Sequence, residues 1–317
     1  MKTIITTVVL IFIITSSYAQ QDPQFNQYIF NNLIINPAYA GTKGMKNLSA
    51  TFSTQWLGFA GAPLTQTLSY DGPVSKNIGL GVHMINDKIG AQTQQGLFGS
   101  YAHRVKLSEE FNLSMGLAVG ASHFSLDGSK LIIEDENDPA IVNVYVNKLR
   151  FDSKSGLFLY SDRFYAGLSV TGLLADVMKS NDLNVASQTR HYYLTSGYVF
   201  DLNENFKFKP SFLIKEDFKA PTNIDITTFF LYKEKFWLGA SIRTGLINIK
   251  NKDLDGSLRK RNALALMTEW NISQEFRIGY SYTVTVSALK NYSGHEIQVG
   301  YYIPNKMTPK MKTPRYF

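Results

Sequence analysis

The 317-residue chain has no cysteine, only five histidines and, after its first residues, no apolar run long enough to cross a bilayer as a helix. Each shortage removes a class of protein. Without cysteine no disulfide framework can hold a small exported fold together, so a sheet or a core must do it. A spanning helix needs roughly 20 apolar residues. If this chain enters lipid it does so as a closed β-barrel, because only helices and closed barrels satisfy every backbone polar group there. His83, His103, His123, His191 and His295 are scattered over separate segments, whereas zinc needs three or four ligands together. The chain contains no Gly-x-Ser-x-Gly elbow, no His-Glu-x-x-His pair and no phosphate-cradling loop. Gly79-Leu80-Gly81 alone is too weak to stand for one. Ser122 and His123 are neighbours in sequence, but neighbours on a strand face opposite ways. No enzymatic activity and no cofactor are expected, and nucleic acid is not an expected partner.

What the chain does contain begins with an export signal. "MKTIITTVVLIFIITSSYAQQ" has a basic start at Lys2, an apolar run from Ile4 to Ile14 and a small-residue end at Ser17-Tyr18-Ala19. This pattern predicts a signal peptide over residues 1–19, cut before Gln20 or Gln21. The remainder is rich in aromatics, with 18 Tyr and 21 Phe, and is patterned for strands. "FRIGYSYTVTV", residues 276–286, puts Phe276, Ile278, Tyr280, Tyr282, Val284 and Val286 on one face and Arg277, Gly279, Ser281, Thr283 and Thr285 on the other. In a soluble barrel the greasy face turns inward; in an outer-membrane barrel it meets lipid.

Alternating segments of the length a tilted barrel strand needs run roughly over 48–57, 64–71, 77–86, 93–106, 111–124, 150–161, 163–172, 191–202, 206–217, 222–233, 236–247, 262–272, 276–287 and 293–303. They predict an all-β, antiparallel transmembrane barrel of about 14 strands over residues 48–303, an even number as single-chain bacterial barrels have. Alternation is weakest near 64–71 and 150–161. Short polar connections ("VSK", "SEE", "SD", "NEN", "KEK", "SQE") largely alternate with longer ones. This matches the short periplasmic turns and longer outer loops of such barrels. The expected topology puts the aromatic face on lipid and both termini in the periplasm.

Inward positions read as unusually small: Gly79, Gly81, Ser114, Gly116, Ala118, Gly120, Gly167, Gly239, Gly245, Gly279 and Gly300. Glycine inside a strand marks a bend or the close approach of another backbone. Fourteen strands enclose more room than their own side chains fill. Residues 20–47, poor in charge and rich in Asn, Gln and aromatics, form the candidate plug, so curvature alone and room for a plug both stay open. Residues 304–317 carry Pro304, Pro309 and Pro314 and read as an extended periplasmic tail rather than a last strand.

The two ends also carry a resemblance. "QDPQFNQYIFNNLIINPAYAG", residues 21–41, resembles the N-terminal signature of the PorP/SprF family of outer-membrane proteins. Asp22, Pro23, Phe25, Gln27 and Tyr28 match its first part, and Asn36, Pro37, Ala38, Tyr39, Ala40 and Gly41 its second. "TPRYF" at the end is similar to the family's short tail, which makes Pro314, Arg315, Tyr316 and Phe317 a candidate partner-binding element. The resemblance implies a component of the type IX secretion system of Bacteroidota, which exports adhesins and enzymes and, in gliding species, serves motility. Implied partners are a secreted cargo protein with a type IX C-terminal domain, such as a cell-surface adhesin, or other components of the system. The alternative is an outer-membrane channel or hydrophobic-solute transporter.

Charge points to surfaces. The net charge of +7 is partly concentrated in Lys250, Lys252, Arg259, Lys260 and Arg261, which suits anionic headgroups of outer-membrane lipid or a solvated loop. Glu134, Asp135, Glu136 and Asp138 lack the spacing of a calcium loop and read first as a solvated face. The long connection 125–149 turns into an alternating run, "AIVNVYVNKLRF". With 173–190 it is the expected platform for a secreted partner, by strand-edge pairing.

Overall fold

The computed structural model describes residues 26–130, 145–175, 177, 189–245, 263–286 and 291–303. The strands are β1 (Lys46–Thr54), β2 (Leu64–Pro73), β3 (Ile78–Ile89), β4 (Gln92–Lys106), β5 (Asn112–Asp127), β6 (Tyr145–Tyr160) and β7 (Phe164–Thr171). They continue with β8 (His191–Tyr198), β9 (Phe200–Asp201), β10 (Phe206–Glu216), β11 (Asn223–Tyr232), β12 (Phe236–Gly245), β13 (Ala263–Asn271), β14 (Phe276–Thr285) and β15 (Ser293–Ile303). β8 and the two-residue β9 are one stave interrupted at Val199, since both pair with β10. Each stave pairs antiparallel with its chain neighbours, and β1 pairs with β15 from Lys46↔Ile303 to Thr54↔His295. The ring is therefore closed, with 14 staves and no free edge.

Side-chain alternation sets which face is wet. On β14, Ile278, Tyr280 and Tyr282 are exposed while Arg277, Gly279 and Ser281 are buried. The same outward set continues with Leu80, Val82 and Met84 on β3, Leu117 and Val119 on β5, and Leu238 and Ile242 on β12. An outside this apolar over a ring with a polar inner face is the pattern of a barrel standing in lipid.

Both weakly patterned segments form strands, and one is longer than expected. β5 runs on to Asp127 and β6 begins at Tyr145, paired Asp127↔Tyr145. Part of the expected loop 125–149 is thus strand, because the end of β5 offers a ladder on which Tyr145–Lys148 can pair. The acidic run 134–138, the basic run 250–261 and the tail 304–317 lie outside the described residues. At one end of the barrel the connections are 74–77, 107–111, 161–163, 202–205, 233–235 and 272–275. The other end has 55–63, 128–144, 172–190, 217–222, 246–262 and 286–292, with one exception, the tight turn at Gly90-Ala91 between β3 and β4. Gly90 takes φ +57° there, a conformation glycine adopts without steric cost.

Candidate functional site

The polar residues that the ring turns inward meet the chain's own segment 26–45. This strap is not a helix or a strand but three short 3₁₀ turns, Gln27–Phe30, Asn32–Ile34 and Pro37–Tyr39. Its second signature half explains itself residue by residue. Asn36 caps the last turn, its side chain accepting from the Ala38 N–H at 2.9 Å, and Pro37 takes the first turn position, where its missing N–H costs nothing. The same Asn36 side chain donates from Nδ2 to the Leu157 carbonyl on β6, 3.0 Å. Ala38 and Ala40 are fully buried. A Cβ on Gly116 would stand 2.2 Å from the Ala38 nitrogen, and one on Gly79 would stand 2.0 Å from the Ala40 oxygen. Tyr39, also fully buried, meets Phe158 edge to face with centroids 5.5 Å apart. Gly41 turns the chain with φ +71° and donates its N–H to Asp71 Oδ2, 2.8 Å.

Around this half stands a set of buried charges. Asn47 donates to the other Asp71 oxygen at 3.2 Å and accepts from Arg277 Nη2 at 2.9 Å. Arg277 lies 3.8 Å from Glu269 and over the Tyr302 ring. Arg104 donates to the Gly41 carbonyl, 2.6 Å, and to the carbonyls of Ser75 and Ile78 in the neighbouring turn. Within the strap, Lys43 reaches back to the Phe30 carbonyl at 3.0 Å. Burial pushes its pKa well below the usual lysine range, and the nearby Arg277 acts in the same direction. Burial also holds the Tyr28 and Tyr39 phenols well above theirs, so both stay neutral.

The first half of the strap is held differently. Tyr28, Phe30, Ile34 and Ile35 pack with Tyr193, Leu213, Phe229, Leu231, Trp237 and Met267 from the far wall. The Phe30 ring meets Phe229 at 5.2 Å and Trp237 at 6.2 Å, with the fully buried Lys209 ammonium 5.8 Å above it. Wall side chains also grip the main chain: Lys154 Nζ donates to the Ile34 carbonyl at 3.1 Å and Ser169 Oγ to the Ile35 carbonyl at 2.7 Å. At the start, the Asn26 N–H donates to Glu296 Oε2 and its Nδ2 to Thr283 Oγ1, while Arg243, paired to Asp225, donates to its Oδ1.

Of the signature residues, Tyr28 and Asn36 to Gly41 are therefore brought together inside the ring. Gln27 lies in the first turn, and Asp22, Pro23, Phe25 and the tail Pro314 to Phe317 fall outside the described residues. The motif alone did not point to Lys154, Arg104, Asp71, Glu269 and Lys209. The available signal was charge at inward strand positions, which lipid-facing alternation leaves as the only tolerable place for it. The histidines stay apart: His83 stacks on Phe98 beside Lys154, His191 stands 3.9 Å from Asp217, and His295 pairs with the Tyr280 hydroxyl. Among the described residues no group of three or more His, Cys, Asp or Glu is placed to hold a metal ion.

No curated protein matches the sequence. Among solved structures, a Pseudomonas aeruginosa FadL homologue is similar at 11% identity and TM-score 0.48, over 90% of this chain and 95% of its own. The CymD monoaromatic hydrocarbon channel is similar at 11% identity and TM-score 0.48, over 92% and 97%. The Acinetobacter baumannii outer-membrane protein Omp33 is similar at 10% identity and TM-score 0.45, over 82% and 98%. The barrel itself is established by its closed ladder rather than by these distant likenesses. The model of one family, type IX secretion system membrane protein PorP/SprF, matches residues 17–301, and this outer-membrane barrel belongs to that family.

Proposed function

We propose that this barrel is a non-enzymatic component of the type IX secretion system that holds a secreted partner on its way to, or at, the cell surface. The partner in this reading is an adhesin-type cargo bound through its type IX C-terminal domain, in gliding species as part of motility. The observation that carries the reading is the strap. Residues 26–45 take up the inward polar groups of β2, β4, β6, β7, β14 and β15 by hydrogen bonds and the apolar wall of β10 to β13 by packing. A lumen plugged in this way by its own chain leaves the rims of the barrel to do the work.

The platform at the long-connection rim is the pair of connections 125–149 and 173–190. The tail Pro314 to Phe317 serves its own rim or a periplasmic partner. Support for a projecting platform comes from the outward face of β2 to β4. There the apolar row Leu68, Met84 and Leu97 gives way to Gln66, Asn86 and Gln95, exposed and hydrogen-bonded to one another. A polar row marks the limit of the hydrocarbon zone, so ladder beyond it stands clear of lipid.

The test is purification from native cells in mild detergent, with mass spectrometry of whatever is retained. One large secreted protein, lost when residues 130–146 are deleted while the barrel persists, is the expected result. Periplasmic ring or motor proteins would move the interaction to the tail. A second reading, a channel for hydrophobic solutes, is favoured by the apolar inner wall at Phe229, Trp237 and Met267. It predicts a barrel that purifies alone and conducts ions in planar bilayers.

A further inference from the structure

The strap has a direction. The three residues that hold Asn26 all lie near one end of the ring: Thr283 and Arg243 stand two residues before the ends of β14 and β12, and Glu296 three after the start of β15. Those strand ends lead into the connections 246–262 and 286–292. Lys46, where the strap becomes β1, pairs with Ile303 at the opposite end, the end of the short turns. Between Asn26 and Lys46 the chain therefore crosses the barrel from the long-connection mouth to the short-turn mouth.

We infer that the amino-terminal end of the mature chain emerges at the long-connection mouth, on the opposite side of the membrane from the carboxyl-terminal tail. On the reading that long connections face the cell exterior, on which the proposed platform also rests, this end is presented at the surface. It replaces the expectation that both termini share the periplasm. Distance decides against a return path. Glu296 and Ile303 are seven residues apart on one strand, roughly 23 Å of strand at ~3.3 Å per residue, and about 17 Å along the barrel axis at the usual tilt. A chain cut before Gln20 has six residues ahead of Asn26, with a reach of about 20 Å fully extended. Those six would have to run straight back through space that Tyr28, Phe30, Leu33, Tyr39 and Lys43 already fill, all of them buried.

The two conspicuous ends of the sequence then serve different faces. Asp22, Pro23 and Phe25 belong to the mouth where a secreted partner docks, and Arg315, Tyr316 and Phe317 to the periplasmic side. A surface partner would meet the amino terminus together with the outer loops, and a motor or ring component would meet the tail.

A chain without cysteine allows a direct test with single variants Gln24→Cys, Ala60→Cys and Lys310→Cys, treated in intact cells with a membrane-impermeant maleimide. Ala60, exposed in the 55–63 connection, reports which way the barrel stands. Labelling of Gln24→Cys and Ala60→Cys in intact cells, with Lys310→Cys labelled only after the outer membrane is permeabilised, is expected. Gln24→Cys behaving like Lys310→Cys overturns the inference, as does a Gln24→Cys site that reacts only after unfolding. If Ala60→Cys is protected while Lys310→Cys reacts in intact cells, the orientation itself is wrong, and the platform fails with it.

Discussion

Residues 36–45 and residues 26–35 run through one lumen and are buried to a similar degree, yet they are held by different physics. In the first stretch, strap backbone lies against wall backbone: Ala38 on Gly116 and Ala40 on Gly79, at distances that leave no room for a Cβ. In the second, side chains do the holding, Phe30 between Phe229 and Trp237, with Lys154 and Ser169 reaching for carbonyl oxygens. Backbone contact cannot relax when one partner changes, whereas side-chain packing can. The stretch 36–45 is thus part of the wall, and 26–35 is closer to a ligand that the wall binds in cis.

The largest expected effect comes from breaking the first stretch. Gly116→Val puts three carbons where the Ala38 backbone lies, and overpacking of this kind costs roughly 1–3 kcal/mol or more. With backbone on both sides the upper end applies. Loss of the folded, heat-modifiable band on gels is expected, because the strap joins directly to β1 and β1 closes the ring on β15. Gly99→Ala is the control. Gly99 faces outward with nothing within 4 Å of its would-be Cβ, and this variant assembles normally. A Gly116→Val barrel that assembles with unchanged heat resistance would remove the distinction between the halves.

The second stretch yields by degrees. Phe30→Ala removes the ring from the Phe229 and Trp237 site, and such truncations cost about 3–5 kcal/mol. Here the loss falls on seating of residues 26–35, so the expected outcome is a folded barrel whose strap is cut by added protease at rates well above wild type. Lys154→Met keeps the stem that packs near Phe98 but leaves the Ile34 carbonyl without this donor. Leaving a buried carbonyl short of a donor costs about 1–3 kcal/mol, so a smaller rise in the same cleavage rate is expected. If either change instead abolishes the barrel, both halves are structural and the comparison collapses.

Much of this was legible from the chain because lipid imposes a two-residue period on every stave. The aromatic face of 276–286 and the fourteen segments followed from that period, and even the poorly patterned 64–71 and 150–161 became strands once neighbours supplied ladders. The inward glycines also pointed to a close approach of backbone, which Gly79 and Gly116 make to Ala40 and Ala38. Other features were not legible. Periodicity says nothing of a segment built from 3₁₀ turns, so the path of the strap was invisible. Partners such as Lys154 with Ile34, 120 positions apart, are set by closure of the ring rather than by local sequence. The length of β6 was missed because Tyr145–Lys148 alternate weakly and pair only because β5 continues beside them.

The smallest expected effect is the one that sharpens the comparison most. Asn26→Ala keeps the backbone N–H bond to Glu296 but removes the Nδ2 bond to Thr283 and the acceptor for Arg243. Arg243 keeps its pairing with Asp225, so no buried charge is left alone, and the loss is that of ordinary hydrogen bonds, about 0.5–1.5 kcal/mol each. A tenfold change in an opening equilibrium corresponds to about 1.4 kcal/mol. Labelling of a cysteine placed at Gln24 should therefore quicken by roughly tenfold, with barrel heat resistance unchanged. Unchanged labelling would mean that Asn26 does not anchor the strap and that its first half is held by Phe30 and its neighbours alone. A faster rate confined to this site, with residues 36–45 still protected, would locate the weak end of the strap at the mouth where the chain enters.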